Sequence, residues 1–71
     1  MPTVQDLVRI AAAGGGFELE AGSYAVSDLV RIAAAASAKR PLLIVKDAGG
    51  LIVSDLVRVA AAGQGAVHFQ F

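Results

Sequence analysis

The chain has 71 residues, six Lys plus Arg against six Asp plus Glu, and a formal net charge of zero. A domain this small buries only about 60% of the surface its unfolded form exposes. With no cysteine it has no disulfide framework, no thiolate metal site and no cysteine nucleophile. Zero net charge argues against a nucleic-acid binder, which needs a basic footprint to displace counterions. Apolar residues make up 56% of the chain, too many for a disordered tail. No apolar run approaches the ~20 residues that cross a bilayer, so no membrane partner is expected. Met1-Pro2-Thr3 lacks the basic stretch and apolar core of a signal peptide, and a cytoplasmic location is expected. High apolar content at zero charge favours self-association, a common source of stability for small domains without disulfides or metals.

In chain order, the first segment reads as a helix. Val4-Gln5-Asp6-Leu7-Val8-Arg9-Ile10-Ala11-Ala12-Ala13 begins after Thr3, which with Asp6 three residues on approximates a capping box. Gly14 follows as a stop signal. Phe17-Glu18-Leu19-Glu20 then alternates like a strand. A second helix repeats the first, as Val26-Ser27-Asp28-Leu29-Val30-Arg31-Ile32-Ala33-Ala34-Ala35. Its Leu29, Ile32, Ala33 and Ala36 form one apolar stripe. Leu42-Leu43-Ile44-Val45, between Pro41 and Asp47-Ala48-Gly49-Gly50, reads as a second strand. The third helix is Val53-Ser54-Asp55-Leu56-Val57-Arg58-Val59-Ala60-Ala61-Ala62, with Gly63 as its stop. Val67-His68-Phe69-Gln70-Phe71 alternates as a third strand. Ser27 and Ser54 are plausible helix N-caps.

A match over ten residues in triplicate is an internal repeat. The units run roughly 1–20, 21–47 and 48–71, one domain in all. Asp6 and Asp28 are 22 apart and Asp28 and Asp55 are 27 apart, the five extra residues lying around Ser37-Ala38-Lys39-Arg40-Pro41. Strands separated by helices imply parallel pairing through right-handed crossovers. The expected fold is α/β: three αβ repeats forming a small solenoid-like parallel three-stranded sheet, with helices on one face. Phe17, Leu19, Val67, Phe69 and Phe71 should face the helices. Matching copies two and three places Phe17 with Ile44 and Glu18 with Val45. If Leu42 and Ile44 then face the helices, Leu43 and Val45 emerge on the bare face beside Glu18, Glu20, His68 and Gln70 and suggest that a partner packs there. A bulge or a different register would instead turn them inward.

Strand, small turn and amphipathic helix at a 27-residue period resemble a leucine-rich-repeat type of short β/α unit. Leu42 to Asp47 and Ser54 to Ala62 carry the resemblance best, and the "DLVRIAAAG" core is similar to repeats in poorly characterised bacterial proteins. In place of the Asn or Cys that closes the strand turn in that family stand Glu20-Ala21-Gly22 and Asp47-Ala48-Gly49. The resemblance implies a protein-binding or assembly surface and carries over no catalytic residue.

Candidate chemistry is sparse. His68 is the sole histidine, and only Glu18 and Glu20 could join it around a metal; its plain reading is an exposed strand residue. Asp6, Asp28 and Asp55 stand three before Arg9, Arg31 and Arg58, a spacing for solvated ion pairs worth ~0.2–0.5 kcal/mol each. Gly14-Gly15-Gly16 lie on the wrong side of a strand for a phosphate loop, and Gly49-Gly50 lack the following lysine. Lys39-Arg40 reads as a solvated loop. No Ser/His/acid set is present, and no enzyme activity, metal or cofactor is expected.

Two sheet edges remain open, and open edges recruit partners. Phe71 ends an apolar strand with no polar cap. The expected interface is therefore Leu43, Val45, Val67, His68, Phe69, Gln70 and Phe71, used for homo-oligomerisation, with a dimer favoured through antiparallel pairing of two last strands, or for stacking on neighbouring repeats of a longer chain. Glu18 and Glu20 make the first edge the poorer candidate. The alternative function is anion or small-ligand binding at the strand-to-helix turns, by Gly22, Ser27, Gly49 and Ser54.

Overall fold

A computed structural model of the chain describes residues 3–71; Met1 and Pro2, considered above for a leader, lie outside them. The elements are α1 (Val4–Ala12), β1 (Phe17–Glu20), α2 (Val26–Ala36), β2 (Leu43–Lys46), α3 (Val53–Gly63) and β3 (Val67–Phe69). The strands form one parallel sheet in the order β1-β2-β3. The expected α/β architecture is therefore present: alternating helices and strands, with a three-stranded parallel sheet.

The core lies between sheet and helices. Its largest fully buried side chains are Leu29, Ile32, Leu43 and Val59, each contributing on the order of 1.5–3 kcal/mol by leaving water. Ala11, Ala33 and Ala36 are buried between them. An alanine there adds little area but lets neighbouring backbones come close.

Strand register corrects one expectation. Phe17 pairs with Leu43 and Leu19 with Val45, which in turn pairs with Phe69. Leu43 and Val45 are thus core residues at 2% and 3% exposure, and Leu42 is outside at 54%. The helix match fails in the strand because the turns differ in length. Residues 21–25 join β1 to α2, whereas residues 47–52, one more, join β2 to α3. The extra residue is Asp47, which takes the left-handed conformation at φ 55° that Asp tolerates better than most side chains. The strand slides by one position, and a one-residue slip exchanges the two faces.

Helix starts and stops also depart in part from expectation. Thr3 and Asp6 do form a capping box, with bonds of 3.1 and 3.2 Å. Ser27 and Ser54 do not cap: α2 and α3 begin two residues earlier, at N-caps Ala25 and Ile52 that make no side-chain bond. Hydrophobic anchoring takes over. Tyr24 and Leu51 precede these caps, and both pack against the core together with Leu29 and Leu56, four residues into the helices, as in a hydrophobic staple. Gly14 closes α1 at φ 98°, but Gly63 is the last helical residue of α3, and Gln64 and Gly65 make the left-handed exit. Gly63 serves close packing, since a Cβ there would stand 2.6 Å from Val67 Cγ2. Gly16 likewise lets β1 approach Leu42, whose carbonyl oxygen would lie 2.5 Å from an added Cβ.

The register makes a clear prediction. Leu43→Ala should lower unfolding free energy by about 2–5 kcal/mol, while Leu42→Ala should change it by less than about 0.5 kcal/mol. Urea midpoints of the two variants check this, and the reverse order would restore the helix-matched register.

Candidate functional site

The expected interface divides. Leu43 and Val45 are buried and leave it. Val67 and Phe69 are half-buried and pack on the core, and His68 and Gln70 are exposed. Phe71, expected to face the helices, is 80% exposed and lies beyond the end of β3 at Phe69. Its ring stands 6.3 Å from that of Phe69, within the range of a favourable tilted pair.

The bare face of the sheet carries Glu18, Ile44 and His68 in one row, with Glu20 and Lys46 beside each other in the next. Lys46 Nζ stands 3.6 Å from Glu18 Oε1, an exposed pair worth at most ~1 kcal/mol. This face is mostly polar, with Ile44 as its half-buried apolar member. It is not the apolar docking surface that an outward Leu43 and Val45 would have made.

The outer edge of β3 can be read from its hydrogen bonds. Leu43 N–H donates to the Ala66 carbonyl at 3.0 Å, and Gln70 N–H donates to the Val45 carbonyl at 2.8 Å. Ala48 N–H donates to the Gln70 carbonyl at 2.9 Å. The C=O and N–H of one trans peptide point opposite ways, so the N–H groups of Val67 and Phe71 and the carbonyl of Phe69 turn away from β2. Alternation along the strand adds the Val67 carbonyl and the Phe69 N–H. The row is unpaired among the described residues.

A second apolar surface adjoins this edge, and the repeat makes it legible. Val4, Val8 and Ala11 of α1 correspond to Val26, Val30 and Ala33 of α2 and to Val53, Val57 and Ala60 of α3. In α1 and α2 the valines are half-buried and the alanines buried. In α3, Val53 is 74% and Val57 59% exposed, and Ala60 is exposed too. The sequences are the same. The difference is that α2 lies beside α1 and α3 beside α2, whereas α3 has no following helix among the described residues. At the other end, Ile10 is 42% exposed although its counterparts Ile32 and Val59 are each at 1%, because no strand precedes α1 among the described residues. Sequence reasoning on one stripe per helix missed these ends; comparing the valine positions of all three copies would have found them.

The alternative ligand residues lie at the strand-to-helix turns and the first turns of α2 and α3. Gly22 and Gly49 lie in short 3-10 turns, Ala21–Ser23 and Ala48–Gly50, that pack side by side. Nothing lies within 4 Å of where a Cβ would stand on Gly22, Gly49 or Gly50. Ser27 and Ser54 are exposed in the first helical turns. Of the repeated Asp-Arg pairs, Asp55 and Arg58 stand 3.8 Å apart, while Arg31 reaches across the helix seam to Gln5 Oε1 at 3.4 Å. Among the described residues, no side chain cluster of three could hold a metal and no helix is long and apolar enough to cross a membrane. Comparison with known protein families, curated proteins and solved structures finds no match.

The edge assignment predicts opposite outcomes for two neighbouring prolines. Gln70→Pro removes an N–H that is bonded to the Val45 carbonyl of β2 and should cost about 1–3 kcal/mol. Phe71→Pro removes an outward N–H and should leave stability within about 0.5 kcal/mol. Thermal melts of both variants, at a concentration too low for association, check the difference.

Proposed function

We propose that this chain is a non-enzymatic self-assembly module, a solenoid-like stack of αβ units that associates with other copies of itself. The observation that carries this reading is the exposed valine stripe of α3. The same residues are covered in both earlier repeats, so the third copy offers a surface already suited to a packed neighbour. The unpaired outer edge of β3 lies next to it and adds backbone donors and acceptors. Apolar contact and strand addition then act together, the first supplying burial and the second orientation. Ile52 and Phe71, both largely exposed, extend the apolar surface beyond the scattered single residues that soluble proteins normally tolerate.

The leucine-rich-repeat resemblance enters here only through the order of elements and the absence of a catalytic demand on any repeated residue. Asp6, Asp28 and Asp55 serve helix starts and surface pairing, and His68 serves as a polar strand residue. The array uses repetition to extend a binding surface, as stacked repeat proteins do.

Light scattering after size separation tests the proposal. At tens of micromolar the protein should elute at multiples of its 7.2 kDa chain mass, with the mean mass rising with concentration. A concentration-independent monomer would overturn it.

A further inference from the structure

We infer that two copies join head to tail, the α1/β1 end of one docking on the α3/β3 end of the next, so that the assembly is a directional row of copies rather than a twofold dimer. The inference rests on the self-assembly reading and specifies its geometry.

The first argument is continuity with a seam the chain makes twice. Asp6 to Ala13 of α1 and Asp28 to Ala35 of α2 are identical in sequence. What α2 presents to α1 is therefore available on α1 of a second copy, and the surface awaiting it, Val53, Val57 and Ala60, repeats the surface that α2 covers on α1. In this position Ile10 of the second copy would enter the kind of surroundings that hold Ile32 and Val59 at 1% exposure.

The second argument is the parity of the strand edges. Phe17 N–H donates to the Leu42 carbonyl at 3.2 Å, so Phe17 and Leu19 pair towards β2 and the backbone groups of Glu18 and Glu20 point outward. The outward groups of β3 belong to Val67 and Phe69. Phe17, Leu43 and Val67 are partners across the sheet, as are Leu19, Val45 and Phe69. A second copy's β1 can thus continue the ladder in the same parallel register, Val67 opposite its Phe17 and Phe69 opposite its Leu19. One contact satisfies the helix seam and the strand edge with the spacing the chain already uses.

The third argument is charge. This register sets His68 beside Glu18 of the second copy, where the imidazole N–H can donate a hydrogen bond to the carboxylate, and Gln70 near its Glu20. Antiparallel pairing of two β3 strands would leave Ile10 and the glutamate edge of both copies unpartnered. A heterologous contact of the proposed kind generates rows, or rings if the rotation closes.

Two single variants and their mixture test the geometry. Ile10→Lys spoils the head and Val57→Lys spoils the tail, both at positions already open to water. Each alone should associate at least about tenfold more weakly than the parent chain, and an equimolar mixture should form a one-to-one dimer, because each variant keeps the end the other lacks. If Ile10→Lys associates as well as the parent, or the mixture stays monomeric when both variants are folded, the head-to-tail arrangement is overturned while self-assembly stands. A monomeric parent chain overturns self-assembly itself. Circular dichroism verifies folding; should Ile10→Lys lose structure, Glu18→Pro, which removes an outward donor on the head, replaces it with the same expected outcomes.

Discussion

No αβ unit in this chain can cover its own apolar surface, and the rest of the structure depends on that shortage. A helix of nine to eleven residues set on one short strand has a stripe facing the sheet and a second facing sideways. The sheet-facing stripe of α2, with Leu29, Ile32 and Ala36, is covered within the fold. The sideways stripe can be covered only by the next helix. Stability in such a stack comes from nearest-neighbour interfaces as much as from the units themselves, and the alanines allow those interfaces to be close. Three units are few for this arrangement, because the interior unit is buried on both sides and the outer two on one.

Position along the stack therefore decides what identical residues do. Ile32 is a core residue and Ile10, at the same place in an almost identical helix, is half in water. Ala33 is buried and Ala60 is exposed. A hydrophobic pattern specifies which face is sticky, and the neighbour specifies whether it is satisfied. Under the proposed self-assembly the end units carry the contacts, although no residue in them is chemically unusual.

Much of the fold was legible because repetition and alternation report the same physics. The copied Asp-Leu-Val-Arg core located three helices, and Phe17-Glu18-Leu19-Glu20 and Val67-His68-Phe69 announced strands with one face inward. What escaped was the fine register. The repeat compares helices, and nothing in it reveals that Asp47 takes a left-handed step that shifts β2 by one residue. The Ser27 and Ser54 caps failed for a related reason: Tyr24 and Leu51 anchor the turns by burial, and the helices start where that anchoring puts them. Gly63 looked like a stop signal and is instead a contact with Val67; a glycine at a helix end has the same appearance in either role. The candidate site was half legible. The last strand is legible from its alternation, the register slip hides that Leu43 and Val45 are core residues, and the α3 stripe shows only when the third copy is set against the first two.

Charge placement bears on which ends can meet. Two β1 edges brought together would set Glu18 and Glu20 against their own copies, and like charges across a strand pair are unfavourable. Head-to-head contact is thereby opposed. Tail-to-tail contact meets no such row of charge, but it leaves every copy with one open end, however many dimers form. In the proposed directional row the number of open ends stays at two while the number of copies grows, so the apolar surface left in water falls per copy with each addition. Ring closure would remove it entirely. The polar bare face, with Lys46 paired to Glu18, works in the same direction by offering little to a second sheet, which leaves growth along the row as the way to bury what α3 and β3 expose.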